Sequence, residues 1–203
     1  MNRFKTFFSF VALSNIAIMA ALMGCLFYSS FFNNIPIDPK KEGFIRTLEK
    51  EAKFFKVLAY RESSSKLDKI NKFGYLGKYQ FGEATLIGLG YYSKDNSVRN
   101  DWRGKWTGKH GILSKQDFMG SFFAQEMAVR ELTSSNWAIA KTHKLDSFIG
   151  KTVHGTYVTR EGILAAMHLK GPKSVNSFIF YGVNSRDALG TGVQEYMNLF
   201  SKI

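Results

Sequence analysis

Cysteine occurs only once in this 203-residue chain, as Cys25, and proline only three times. One cysteine excludes an internal disulfide and leaves stability to packing. It also leaves everything beyond residue 25 without a cysteine nucleophile. Three prolines permit long unbroken helices. Acidic residues are few as well: 16 Asp and Glu face 28 Lys and Arg, a formal charge of +12. Such a surface attracts an anionic polymer, whether nucleic acid, acidic lipid or a bacterial wall. Yet no run of five basic residues and no nucleic-acid motif occurs, which argues against nucleic acid. The four histidines lack metal-ligand spacing, the HExxH pattern is missing, and no glycine-rich phosphate loop follows a strand. Neither a metal nor a cofactor is expected.

What the chain does have is apolar mass. It is 45% hydrophobic and 15% aromatic, with 19 phenylalanines, enough to bury a core and to argue against disorder. Residues 1–32 stand apart. Arg3 and Lys5 precede an apolar stretch from Phe7 to Phe32, long enough for the roughly 20 residues a bilayer span needs. A basic start before an apolar run reads as a signal or membrane anchor, with the N-terminus cytoplasmic. Within it, Leu22-Met23-Gly24-Cys25 resembles the bacterial lipobox, which would make Cys25 a lipidation site. An uncleaved anchor, a lipoprotein and a cleaved signal all stay open. Each exports the remainder to the periplasm or cell envelope, and the first two tether it to the membrane. Residues 33–42, with two prolines, read as a linker, and 43–203 as one domain.

In that domain Phe44, Ile45, Leu48, Ala52, Phe55, Leu58 and Ala59 recur at steps of three and four, the spacing of an amphipathic helix. Ser63, Ser64 and Ser65 end it. The run Gly74-Tyr75-Leu76-Gly77-Lys78-Tyr79-Gln80-Phe81 is too irregular for a long helix and predicts a loop or small β-hairpin. A short helix is expected within 83–92, then a basic excursion over 93–113 that holds Trp102 and Trp106. Helical spacing resumes through Phe118, Phe122, Phe123, Met127 and Val129, and again over 137–141. Another helix covers about 160–169 and ends at Gly171-Pro172. Two short ones follow, at 174–181 and 193–201. The expected fold class is mostly α, a helical globule with one small β or loop element.

Glu62 is the residue that invites chemistry. It lies seven residues after Phe55, four after Leu58 and three after Ala59, so on a helix it shares their apolar face. A carboxyl group set among apolar neighbours is harder to ionise, the property a general acid needs. The plainer reading turns Glu62 back to water, or pairs it with Arg61 or Lys66.

Its surroundings carry a resemblance. Glu62-Ser63 is followed by Gly77-Lys78-Tyr79-Gln80, then by Ala166-Met167-His168 with Gly171-Pro172 and Val175, and last by Tyr196. This ordered set resembles the lysozyme-like superfamily, in particular bacterial lytic transglycosylases and goose-type lysozymes, over roughly residues 50–200. Met167 and His168 stand where that family often has tyrosine and asparagine, and one extra residue precedes Gly171. The resemblance implies an α+β lysozyme-like domain with a hairpin or loop beside an active-site cleft. It implies cleavage of peptidoglycan glycan strands at the β-1,4 bond from N-acetylmuramic acid to N-acetylglucosamine, with Glu62 as catalytic acid. The transglycosylase variant needs no second carboxylate, because the muramic 6-hydroxyl attacks. Should water attack instead, Asp68, Glu83, Asp95 and Asp101 are the nearest carboxylates in sequence.

The same resemblance suggests substrate-binding roles. Ser63 is read as a partner of the Glu62 carboxyl or the sugar, or as a local helix-ending bond. Gln80 would bond an acetamido group, with Tyr79 and Phe81 forming an apolar wall, unless these simply pack the hairpin. Met167 and His168 would touch the sugar, although His168, sharing a helix face with Leu164, reads more readily as a satisfied core histidine. Tyr196 would direct its hydroxyl toward Glu62 or only pack. Trp102 and Trp106 would stack on glycan rings or anchor their loop. A non-catalytic wall-binding protein with this fold is the rival reading, and assembly into an envelope-spanning machine is an analogy that a tether would suit.

Overall fold

The structure, a computed structural model, describes residues 38–94, 97 and 99–203. The apolar stretch, Cys25, the linker up to residue 37 and Asp95 lie outside the described residues. Among the described residues no helix is long and apolar enough to cross a membrane.

The first helix among the described residues, α1, spans Pro39–Ser63, and Asp38 opens it: its Oδ1 accepts the Lys40 N–H at 3.0 Å. Aspartate before a proline at the first helical position is a strong start, since the N–H that proline lacks would have had no helical partner. The linker expected over 33–42 therefore gives way to helix at Pro39. The chain divides inside α1 into two units, Met1–Thr47 and Leu48–Ile203. Of the α1 apolar stripe, Phe44, Ile45 and Leu48 are exposed, while Phe55, Leu58 and Ala59 are buried, joined by Phe54.

The core of the Leu48–Ile203 unit forms around α5, Arg160–Tyr181, whose first turns are buried on every side from Glu161 to Met167. A helix apolar all round belongs in the middle of a fold. It packs against α4, Phe122–Thr142, and α6, Val193–Phe200. Each wholly buried leucine or phenylalanine here contributes about 1.5–3 kcal/mol. Thr159 caps α5 by accepting the Gly162 N–H at 3.0 Å. The helix breaks at Gly171, φ 74°, beside Pro172, where the sequence predicts one helix ending before another.

Two shorter α-helices are α2 (Glu83–Gly88) and α3 (Lys115–Gly120). Ser114 and Ser121 accept the N–H groups of Asp117 and Ala124, which makes α3 and α4 separate helices where spacing alone reads one. Phe118 is buried on α3, but Phe122 and Phe123 at the start of α4 are exposed. The segment 137–141 belongs to α4.

Two antiparallel strand pairs are minimal: β1 (Tyr92–Ser93) with β2 (Lys105–Trp106), and β3 (Thr152–Val153) with β4 (Thr156–Tyr157). The predicted hairpin is a bridged turn in which the Leu76 and Phe81 backbones exchange hydrogen bonds of 2.9 and 2.8 Å. The basic excursion is fastened by its tryptophans. Trp102 stacks on Trp106 at 5.7 Å, both meet the Tyr92 ring edge-on, and Trp102 Nε1 donates to the Gly74 carbonyl at 2.7 Å.

Candidate active site

Glu62 is the second-last residue of α1 and is half-buried. The helix is stopped just behind it by Ser64 and Ser65, both left-handed at φ 56° and 64°, with their N–H groups bonded to the Tyr60 and Ala59 carbonyls. This is the reversal that glycine usually makes. Ser63 is buried beneath, its hydroxyl donating to the Lys78 carbonyl at 2.8 Å. That bond ties the helix end to the glycine-bearing turn.

Tyr196 arrives from α6 and donates its hydroxyl to Glu62 Oε1 at 2.6 Å. Burial, then the Glu62 charge and this hydrogen bond, push the Tyr196 hydroxyl well above its ordinary range, with Arg61 opposing. The tyrosine therefore remains a proton donor at physiological pH. A hydrogen bond to a charged group is worth about 1.5–3 kcal/mol, enough to fix one carboxylate oxygen in place.

The glycine-bearing turn is held by a residue that no motif singled out. Gln125 of α4 is wholly buried; its Oε1 accepts the Lys78 N–H at 2.7 Å, and its Nε2 donates to the Leu67 and Phe118 carbonyls. Gly77 has φ +77°, and a Cβ there would sit 2.3 Å from Gln125 Oε1. Gln80 follows in the left-handed region at φ 50°, its side-chain nitrogen donating to the Gly77 carbonyl at 2.9 Å. His168 crosses from α5, with Nε2 2.9 Å from the Tyr79 carbonyl. A carbonyl only accepts, so Nε2 carries the proton.

Glu62, Gln80, His168 and Tyr196 border one cleft of about 480 Å³. Four other residues named from sequence as substrate-binding do not border it. Ser63, Tyr79, Phe81 and Met167 are at most 3% exposed. Tyr79 turns inward because its hydroxyl donates to Glu126 Oε1 at 2.8 Å and its ring meets Phe55 and Phe81 edge-on. Phe81 also packs on Phe118, and Met167 lies on the buried stretch of α5. The exposed aromatic rings that border the cleft are Phe73, just before that run, and Tyr75 within it; exposed Leu189 borders it too. The glycine spacing draws attention to this stretch, but only the bridge at Leu76 decides which residues face out.

A second carboxylate, Asp187, also borders the cleft, with Arg61 and Lys69. Its Oδ1 accepts the N–H groups of Leu189 and Thr191 at 2.9 and 2.8 Å, shaping the loop before α6. Of the carboxylates weighed from sequence, Asp68 is exposed and Glu83 is buried, accepting from the Trp102 N–H. Asp101 borders a neighbouring hollow. Another cavity of about 220 Å³, between α1, α4 and α5, has its carboxylates paired: Glu51 with Arg130 and Glu161 with Lys50. Among the described residues no three His, Cys, Asp or Glu side chains cluster to hold a metal.

No family model, curated protein or solved structure matches this chain.

Proposed function

We propose that this chain cleaves peptidoglycan glycan strands at the β-1,4 bond between N-acetylmuramic acid and N-acetylglucosamine, with Glu62 as the single acid–base catalyst. The observation that carries the reading is the 2.6 Å bond from Tyr196 to Glu62 Oε1, made inside a cleft that Gln80 and His168 also border. Tyr196 holds one oxygen and leaves the other to carry the transferred proton. That oxygen protonates the glycosidic oxygen as the bond to the anomeric carbon breaks and positive charge builds on the muramic ring. The 6-hydroxyl of the same ring then attacks the anomeric carbon. Its proton passes to Glu62, and a 1,6-anhydro end results. Gln80 and His168 serve the sugars from the cleft walls, while Phe73 and Tyr75 offer ring faces.

Asp187 is the one observation that favours hydrolysis, since a second carboxylate in the cleft is what an activated water would need. Mass spectrometry of digested sacculi separates the two: anhydro ends are expected, and reducing ends alone would establish the hydrolytic version. In this reading the N-terminal apolar segment exports the domain and, as anchor or lipoprotein, tethers it to the membrane. Cutting is then confined to wall within reach of that tether. The rival, a wall-binding protein without activity, predicts intact sacculi after incubation.

A further inference from the structure

We propose that the cleft continues past Phe73 and Tyr75 into a second compartment that receives the anionic stem peptide of the glycan strand; this rests on the peptidoglycan reading above. The second compartment, about 660 Å³, lies beside the one that holds Glu62. Asn71, Phe73, Tyr75 and Ala188 border both, so the two are parts of one groove.

The partition between them is built. Asn100 Nδ2 donates to the Phe73 carbonyl at 3.1 Å, and Trp102 Nε1 donates to the Gly74 carbonyl. Gly74, at φ +78°, has no room for a side chain: a Cβ would lie 2.1 Å from the Asn100 carbonyl oxygen. These contacts press the Asn100–Trp102 segment onto the turn and fix where Phe73 and Tyr75 stand. Both rings remain more than a third exposed.

Charge then names the ligand. Arg61 and Lys69 border the first compartment, Lys72 and Arg99 the second. Among the described residues none of these four is in an ion pair. The carboxylates of the groove each have one oxygen hydrogen-bonded to neutral donors: Glu62 to Tyr196, Asp187 to two backbone N–H groups, and Asp101 to the Arg103 N–H at 3.3 Å. Arg61 lies over the Tyr196 ring at 5.9 Å and Lys72 over the Phe73 ring at 5.1 Å, and the four cations stand against three carboxylates along the groove. Acetylated sugars are neutral; the charge of peptidoglycan resides on its lactyl and stem-peptide carboxylates. A sugar seated at Glu62 would hang its stem toward Lys72 and Arg99.

Calorimetry on the full chain carrying Glu62→Gln tests this, with a soluble stem-bearing muropeptide chain and the same chain after its carboxylates are amidated. Exposed ion pairs are individually weak, so about fivefold tighter binding of the native chain is expected. That ratio falls to about one when Lys72→Ala and Arg99→Ala are added, and recovers with Lys72→Arg and Arg99→Lys. Lys72 and Arg99 are exposed, so the substitutions leave the fold intact. Equal affinity for the two chains, or a preference that survives the double alanine variant, overturns the proposal. Cleavage by the unmutated chain is scored separately. Carboxylate-dependent binding without cleavage upholds the anion site and counts against the glycosidase reading, whereas cleavage without carboxylate preference in binding does the reverse.

Discussion

A carboxyl group at the end of a helix ordinarily swings into water, and one hydrogen bond keeps Glu62 from doing so. The Tyr196 ring is packed against Phe200 at 5.7 Å, so Tyr196→Phe keeps the packing and removes the hydroxyl that bonds Glu62 and faces Arg61. Turnover should fall about tenfold to a hundredfold with little change in KM, and denaturant titration should show a loss of about 1.5–3 kcal/mol. Unchanged turnover would mean that Tyr196 only packs. At this scale the register of Glu62 was readable, because the spacing from Phe55, Leu58 and Ala59 is local to one helix. Its partner was less so: Tyr196 lies 134 residues away. Lys69 and Asp187 carried no signal, because only the folded loops bring them to the cleft.

Between elements, the decisive joint is the one between the turn at Gly77 and helix α4. Gly77→Ala would force a left-handed alanine and drive its Cβ into Gln125, which in turn holds the partly buried Lys78 N–H. A loss of about 2–4 kcal/mol is expected, read as a lower denaturation midpoint and a weakened cleft. A variant as stable as the parent would show that the turn can move without Gln125. The glycine was legible as a glycine position, but its neighbour was not. Tyr79, Phe81 and Met167 were misplaced for a related reason: motif spacing names residues near a site without saying which face of a turn or helix they take. The single helix read through Phe118 and Phe122 failed because the caps at Ser114 and Ser121 outweigh apolar periodicity.

For the molecule as a whole, three tyrosines bind its stability to alkaline pH. Burial is the leading cause that raises the hydroxyls of Tyr79, Tyr91 and Tyr196, Tyr91 to about 12. In the unfolded chain they ionise near 10. Above that pH unfolding releases protons, so stability is complete below about pH 10 and declines as pH rises further. Denaturant midpoints should hold steady up to about pH 9 and fall beyond pH 10, with tyrosinate absorbance rising on unfolding. Midpoints flat through pH 11 would contradict this. The mostly helical plan was legible from periodicity and the Gly-Pro break, whereas the groove, assembled from α1, the turn, α5 and the loop before α6, exists only in three dimensions. Above all, we propose that this groove cuts glycan through Glu62. Purified sacculi incubated with the full chain or its Glu62→Gln variant, with released muropeptides weighed by mass spectrometry, test it directly. The prediction is anhydro-ended muropeptides from the parent and at least about a hundredfold less release from the variant. Equal release from both, or none from either, would contradict it.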